Sequence, residues 1–380
     1  MNILYLTLYD INDKRLSGVD KKVNGQIKAM RKKGLNVYRI YIKNRNLYLL
    51  YKGNESLLKE VNFSNKMVFK ITKRKVYYNL VLEFIYENNI KGIIIRYPLS
   101  SPYFIRFLRK CKNSGLKVYL EIPTYPYDKE LIFSKLGFAK LLIDKWFRKS
   151  LHKYIDRIIT YSDHEKIFNV KTINISNGID LDNIRISKET NNNSDILNLI
   201  GVASVSIWHG FDRVIKGLSD YYLKNNDKEV FFHIVGNGPE INNLKKITKE
   251  LSLEKYVVFH GFKDGNELDN LFDKSHIGIG SLAIHRIGLY KVCALKNREY
   301  CARGIPFIIA YFDEDFPENF EYVLRIPQND ESVDIKKVIE FYDSIKHKNY
   351  REEMRQFARE NLTWEVKIEP LIKEFLNNKN

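Results

Sequence analysis

The residues best suited to chemistry lie in Leu295-Lys-Asn-Arg-Glu-Tyr-Cys-Ala-Arg-Gly-Ile-Pro306. This stretch opens a helix, carries a glutamate one turn in, and stops at Gly-x-Pro before the apolar run Phe307 to Ala310. A helix start presents unpaired N–H groups at the positive end of the helix dipole, which makes it a ready anion site, and phosphate is its natural guest. Glu299, one turn along, can accept hydrogen bonds from two neighbouring hydroxyls, such as those of a ribose. Phosphate plus ribose reads as a nucleotide.

The elements that must position these residues follow a regular rhythm. Ile3 to Leu8 reads as a strand, Val19 to Lys33 as a helix with Gly34 where a C-cap is expected, and Val37 to Ile42 as the next strand. The rhythm recurs at Gly92 to Arg96 and Lys117 to Ile122, with Tyr103 to Asn113 helical between them. It breaks in the polar stretch Ser187 to Asp195 and restarts at Ile196 to Val202. Helices at Val214 to Tyr222 and Asn242 to Leu251 then alternate with strands at Val230 to Val235, Val257 to His260, Ile277 to Gly280 and Phe307 to Ala310. Arg351 to Leu376 reads as helical, with Trp364 available to anchor it. Strands alternating with helices imply α/β units with parallel, doubly wound sheets, which bind ligands at the carboxyl ends of their strands. We expect a first Rossmann-like domain over 1–190, a second over 191–360, and a C-terminal helix over 361–380 that packs back on the first, with a hinge near residue 190.

At 380 residues, 44% of them hydrophobic, the chain is long enough for two packed cores. Its first ten residues lack a basic n-region and a cleavage site, and no apolar run approaches the ~20 residues that span a bilayer, so a cytoplasmic location is expected. Cys111, Cys293 and Cys301 form no paired or metal-ligand spacing, which points to neither a disulfide framework nor a zinc site. The net charge of +17 favours an anionic partner, but no ribonucleoprotein, helix-turn-helix or zinc-finger pattern accompanies it, and nucleic acid is not expected. Lys135 to Tyr154 mixes Phe138, Leu142 and Trp146 with lysines. A basic amphipathic helix of this kind can rest on an anionic membrane, peripherally, or pack on its own domain with a solvated basic face.

His233-Ile-Val-Gly-Asn-Gly-Pro-Glu240 is a strand running into a Gly-x-Gly-Pro turn, and Asn177-Gly-Ile-Asp180 is a second turn. With Ser17-Gly18-Val19 after the first strand, Asp156-Arg-Ile-Ile-Thr-Tyr-Ser162, Phe259-His-Gly261 and Ala302-Arg-Gly-Ile-Pro306, these pieces follow one another in the order seen in the retaining family-4 glycosyltransferases of the GT-B fold. The chain resembles that family over nearly its whole length. The resemblance implies two Rossmann-like domains facing across a cleft, with a nucleotide-sugar donor held mainly by the second. No separate cofactor is implied, the nucleotide sugar being the substrate, and a UDP-linked donor is expected. By the same resemblance Glu299 would hold the ribose, and Ala294, Leu295 and Lys296 would offer backbone N–H groups to the diphosphate. Phe262 and Lys263 would lie beside the base, and Gly18 would let the first-domain loop approach the donor.

The departures from the family pattern carry information too. Lys291 stands where the first glutamate of the Glu-x7-Glu motif is expected, and Val202 and His209-Gly210 replace the usual diphosphate cations. A diphosphate without cations in a closing cleft is costly, so the compensating charge is expected from Arg286 and Lys291, catalytically placed in the loop Ser281 to Lys291, with Arg213 a further candidate. No Asp-x-Asp motif suited to holding a divalent cation was recognised, so no metal site is expected. Acceptor binding is expected at Tyr125 and Arg96, with Asp128 as a catalytic positioning group in the proline-stiffened segment Glu121 to Glu130. The expected activity is transfer of a sugar, with retention, to a glycan or lipid-linked acceptor in surface polysaccharide (capsule-type) biosynthesis. Two alternatives stay open on the residues: a sugar-nucleotide epimerase of the same architecture and a non-catalytic nucleotide-sugar-binding module.

Overall fold

A computed structural model describes residues 1–13, 16–60, 66–128, 131, 135–188, 195–224 and 228–376. The hinge expected near residue 190 lies outside them. The chain divides into two compact units: Met1–Gly178 together with Trp364–Asn380, and Ile179–Thr363.

The first unit is built on a sheet in the order β4-β3-β2-β1-β5-β6-β7-β9-β8. Its strands are β1 (Asn2–Asp10), β2 (Asn36–Lys43), β3 (Asn46–Tyr51), β4 (Asn54–Lys59), β5 (Gly92–Arg96), β6 (Lys117–Ile122), β7 (Arg157–Thr160), β8 (Lys166–Ile167) and β9 (Val170–Asn174). β2, β1, β5, β6, β7 and β9 run parallel, joined by α1 (Ser17–Lys32), α2 (Lys66–Glu87), α3 (Pro102–Asn113) and α4 (Lys135–Phe147). The central strands read as nearly unbroken apolar runs because both faces are covered, with Ile3, Leu4, Ile93, Ile94 and Ile95 fully buried. The helix expected to end at Gly34 does so: Gly34 adopts φ +86° and donates its N–H to Arg31 O at 3.0 Å. β3 and β4 form an antiparallel extension that the sequence reading did not anticipate, entered through left-handed backbone at Asn44 and Arg45.

The second unit carries the parallel sheet β12-β11-β10-β13-β14-β15. Here β10 is Ile196–Val202, β11 Glu229–Val235, β12 Val257–Gly261, β13 Ile277–Ile279, β14 Phe307–Ile309 and β15 Val323–Arg325. The intervening helices are α5 (Phe211–Tyr222), α6 (Ile241–Glu250), α7 (Gly265–Asp273) and α8 (Leu295–Arg303), with α9 (Ile335–Ile345) and α10 (Tyr350–Asn361) following. The Gly-x-Gly turn has a packing reason. A Cβ on Gly236, at φ +120°, would stand 1.9 Å from Ala203 O, and one on Gly238 would stand 2.1 Å from Val205 O. These glycines let the loop after β11 lie against the loop after β10, where Val205 donates its N–H to Asn237 O at 2.9 Å.

The C-terminal helical segment breaks after Asn361 and re-forms as α11 (Trp364–Lys367) and α12 (Glu369–Leu376) within the first unit. Trp364, Ile368, Leu371 and Phe375 join the core beneath α1 and β1. Trp364 fits only because its neighbours are small: a Cβ on Gly25 would lie 2.4 Å from its ring, and one on Gly178 2.7 Å from its backbone. We expect Trp364→Ala to cost the first unit about 3–5 kcal/mol, read by chemical denaturation of the full chain, and Gly25→Ala to be destabilising through overpacking.

Candidate functional site

In the second unit the strand order reverses between β10 and β13, so the loops leaving these strands part at the carboxyl edge, where doubly wound sheets hold ligands. The β10 loop continues into a 3-10 turn, Ile207–His209, and the β13 loop into another, Ile284–Ile287. The two are stitched together by Leu282 N–H to His209 O (2.9 Å) and Ala283 N–H to Trp208 O (3.1 Å). The β13 loop then delivers the chain to α8. Ala294 occupies the cap position in extended conformation (φ −75°, ψ 127°) and has no side chain with which to cap; the Asn297 N–H turns back to Ala294 O at 3.2 Å, while among the described residues the N–H groups of Leu295 and Lys296 meet no acceptor.

Glu299 lies one turn inside α8 and is half-buried. Arg303, one turn further, donates to its Oε1 at 3.0 Å and to Asp269 at 2.7 Å. Among the described residues Oε2 meets no protein donor, so Glu299 is oriented while retaining acceptor capacity. Phe262, beyond the end of β12, is 68% exposed, a bare aromatic face for its size. Lys263 beside it pairs with Glu267 at 2.8 Å.

The candidate cations are placed differently from one another. Arg286 is gripped by Asp212 (2.9 Å to each carboxylate oxygen), by Asp330 (2.7 Å) and by Ile207 O (3.0 Å). These hydrogen bonds raise its pKa further, but they engage most of its donors and make it a tie between loops. Lys291 pairs with Glu314 at 2.7 Å and lies over the Phe312 ring, half-exposed. Arg213 is buried, and its guanidinium holds backbone oxygens of Glu331 (2.7 Å), Pro327 (3.2 Å) and Leu282, so its work is structural. Lys296, selected from the sequence for its N–H, also sends its side chain inward. Its Nζ is buried without a hydrogen-bond partner, 5.7 Å from the centre of the Phe211 ring, and burial pushes it down to about 7.

An Asp-x-Asp segment that the sequence reading passed over, Asp313-Glu-Asp315, does group its carboxylates with Cys293 within 4.8 Å of one another, a spacing compatible with a cation. Arg298 already supplies that charge. It pairs with Asp313 at 2.7 and 2.8 Å and with Asp315, and donates to Ala294 O at 2.9 Å.

In the first unit the carboxyl edge gathers a buried network around Glu121. Arg96, the expected acceptor residue, donates to Glu121 at 2.9 Å, and Tyr5 (2.8 Å), Tyr161 (3.0 Å) and Gln26 (3.3 Å) do likewise. Burial alone would raise the Glu121 pKa, but Arg96, Lys22 and the donated hydrogen bonds hold it below its ordinary value. Asp128 is bound by Arg148 at 2.7 and 3.1 Å and by Lys145 at 3.2 Å, which holds its pKa low and fastens its segment to α4. Tyr125 stacks edge-on with the exposed ring of His164, 4.8 Å away. That histidine follows β7 and was missed from sequence, because nothing local links residues so far apart. Gly18 falls in the first turn of α1 rather than in a loop, and a Cβ there would meet nothing within 4 Å.

With this geometry in view, residues 182–359 match the family model of glycosyl transferases group 1. The matched stretch lies within the second unit and spans just under half of the chain. No curated protein sequence matches the chain. Among solved structures, a glycosyltransferase from Rickettsia africae aligns over 100% of this chain and 99% of its own at 14% identity (TM-score 0.64). HepE of Anabaena in complex with UDP aligns over 99% and 100% at 14% identity (TM-score 0.61), and the lipopolysaccharide outer core galactosyltransferase WaaB over 99% and 99% at 11% (TM-score 0.60). At these identities the likeness establishes the fold, which is GT-B.

Desolvation in the second unit keeps several histidines neutral. His209 accepts the Ser206 N–H at 3.0 Å, and burial, followed by the charge of Lys296, pushes it down to about 3. Burial likewise lowers His233 and His276, each to about 4. Unfolded, these groups would bind a proton near 6.5; folded, they resist until far lower pH. Stability should therefore be retained above about 6.5 and fall as pH drops toward 4, a trend that denaturant midpoints at pH 7.5, 6 and 5 would register.

Proposed function

We propose that this protein transfers a sugar from a nucleotide-sugar donor, UDP-linked, to a glycan or lipid-linked acceptor with retention, in surface polysaccharide assembly, as a retaining family-4 type enzyme. The observation that carries this reading is the uncapped start of α8 at the carboxyl edge of a parallel sheet, with Glu299 oriented one turn inside it. It offers amides for a diphosphate and an acceptor carboxylate for a ribose within one short segment. Two relatives in fold bear on the donor: HepE was solved with UDP-glucose, and a starch synthase of Arabidopsis thaliana with ADP and acarbose.

In this reading the bond from the anomeric carbon to the diphosphate oxygen breaks as the bond to the acceptor oxygen forms. The acceptor proton passes to the departing diphosphate oxygen on the same face, so no enzymic nucleophile is required. The largest catalytic contribution is stabilisation of the leaving diphosphate by α8 amides and neighbouring cations, which serve without a metal. Lys291, half-exposed at the loop edge, can exchange Glu314 for phosphate or for an acidic sugar, and Arg286 braces the loop that carries it. Phe262 and Lys263 border the base. On the first unit, Tyr125 with His164 and the Arg96–Glu121 pair form the acceptor face, while Asp128 keeps the segment between them in place.

A membrane-borne acceptor fits the surface of α4. Phe138 (50% exposed), Leu142 (55%), Ile143 (50%) and Trp146 (74%) form an apolar stripe beside Lys140, Lys145 and Lys149, while Leu141 and Asp144 point inward. This is the pattern of a helix lying on an anionic bilayer at the cytoplasmic face, and no described helix is long and apolar enough to cross one.

Two measurements bear on the reading. Glu299→Gln should weaken donor binding about tenfold to a hundredfold, measured by titration with UDP-glucose and other nucleotide sugars; unchanged affinity would place the ribose elsewhere, and donor bound without transfer or hydrolysis would favour a binding module. Trp146→Glu should reduce co-sedimentation with anionic liposomes, and a wild-type chain indifferent to such liposomes would remove the membrane contact.

A further inference from the structure

Lys296, in the first turn of α8, carries a charged side chain that is left unprovided for. Its ammonium is buried and meets no hydrogen-bond acceptor, and no carboxylate offsets its burial. Phe211 of α5 covers it from one side, and the titratable group that senses its charge is His209, which burial keeps neutral. A buried cation without an acceptor is costly to a fold, and the lysine stem can ordinarily carry its head to water. Its second position in α8 sets it beside the open amides that follow Ala294.

We propose that the Lys296 ammonium is the principal cation for the donor diphosphate, replacing the charges missing at Val202 and His209. The assignment rests on reading the α8 mouth as the donor site. The bound diphosphate becomes the acceptor that Nζ lacks, so one residue contributes twice, through its backbone N–H and through its side chain. Because burial favours the neutral amine in the empty protein, the arriving anion restores the proton, and binding takes up H⁺ from solution near neutral pH.

The test uses the full-length chain with UDP, inorganic pyrophosphate and uridine as calorimetric probes. Lys296→Met should lose about tenfold or more in affinity for UDP and pyrophosphate while binding uridine as the wild type does. It should also abolish proton uptake, measured by repeating the UDP titration at pH 7.5 in buffers of different ionisation enthalpy. Since the substitution removes a buried unpaired charge, its thermal stability should equal or exceed that of the wild type, which separates lost binding from lost fold. Equal UDP affinity in wild type and Lys296→Met overturns the assignment and leaves the donor site standing, as does a parallel loss for UDP and uridine. A wild-type chain that binds neither UDP nor pyrophosphate overturns both.

Discussion

The wholly buried Arg298 fixes the geometry on which the rest of the second unit's chemistry depends. Its guanidinium joins Asp313 and Asp315, on the segment after β14, to the carbonyl of Ala294, the residue that opens α8. A helix start without a side-chain cap has nothing of its own at the cap position to hold its direction, so another group must do so. Arg298 does this from one turn within the helix. Paired and hydrogen-bonded, a buried guanidinium is tolerable; with a partner missing it becomes a strong destabiliser, so the carboxylates and the helix entrance are set together.

The same economy appears around it. Arg213 collects backbone oxygens from separate loops, and Arg286 binds the start of α5 to the loop at Asp330. These residues place a rigid collar of charge and backbone around the mouth where β10 and β13 part. Among the described residues the Lys296 ammonium and the N–H groups of Leu295 and Lys296 meet no protein acceptor. The Lys296 ammonium therefore stands in contrast to the arginines around it, whose donors are engaged.

Much of this was legible in the letters because it is local. The strand and helix rhythm, the cap at Gly34, the helix start at Leu295 and the place of Glu299 one turn inside it depend on neighbours within a few residues. What was not legible depends on partners brought together by the fold. Arg286 was expected to meet phosphate and Arg213 was a further candidate, yet Asp212 and Asp330 engage the first, while carbonyls of Leu282, Pro327 and Glu331, distant in sequence, engage the second. Asp128 was expected to position an acceptor hydroxyl, yet Arg148, twenty residues away, engages both of its carboxylate oxygens. Lys296 was chosen for its amide, and only the fold shows that its ammonium is buried without an acceptor. The hairpin of β3 and β4 escaped because its turns rest on left-handed Asn44, Arg45 and Lys52, which carry no strong turn signature apart from Gly53.

The connectivity has a consequence for how such a protein can be taken apart. The chain enters the second unit at Ile179 and leaves it at Thr363, and these residues are bridged in parallel, with Ile179 donating its N–H to Leu362 O at 2.9 Å. Entrance and exit therefore stand side by side, so the second unit is a cassette inserted into the first, cut out by one excision and closable across a short gap. The first has no such independence: its two stretches of chain are far apart in the gene, and without the distal piece carrying Trp364 and Phe375 its core has an open flank.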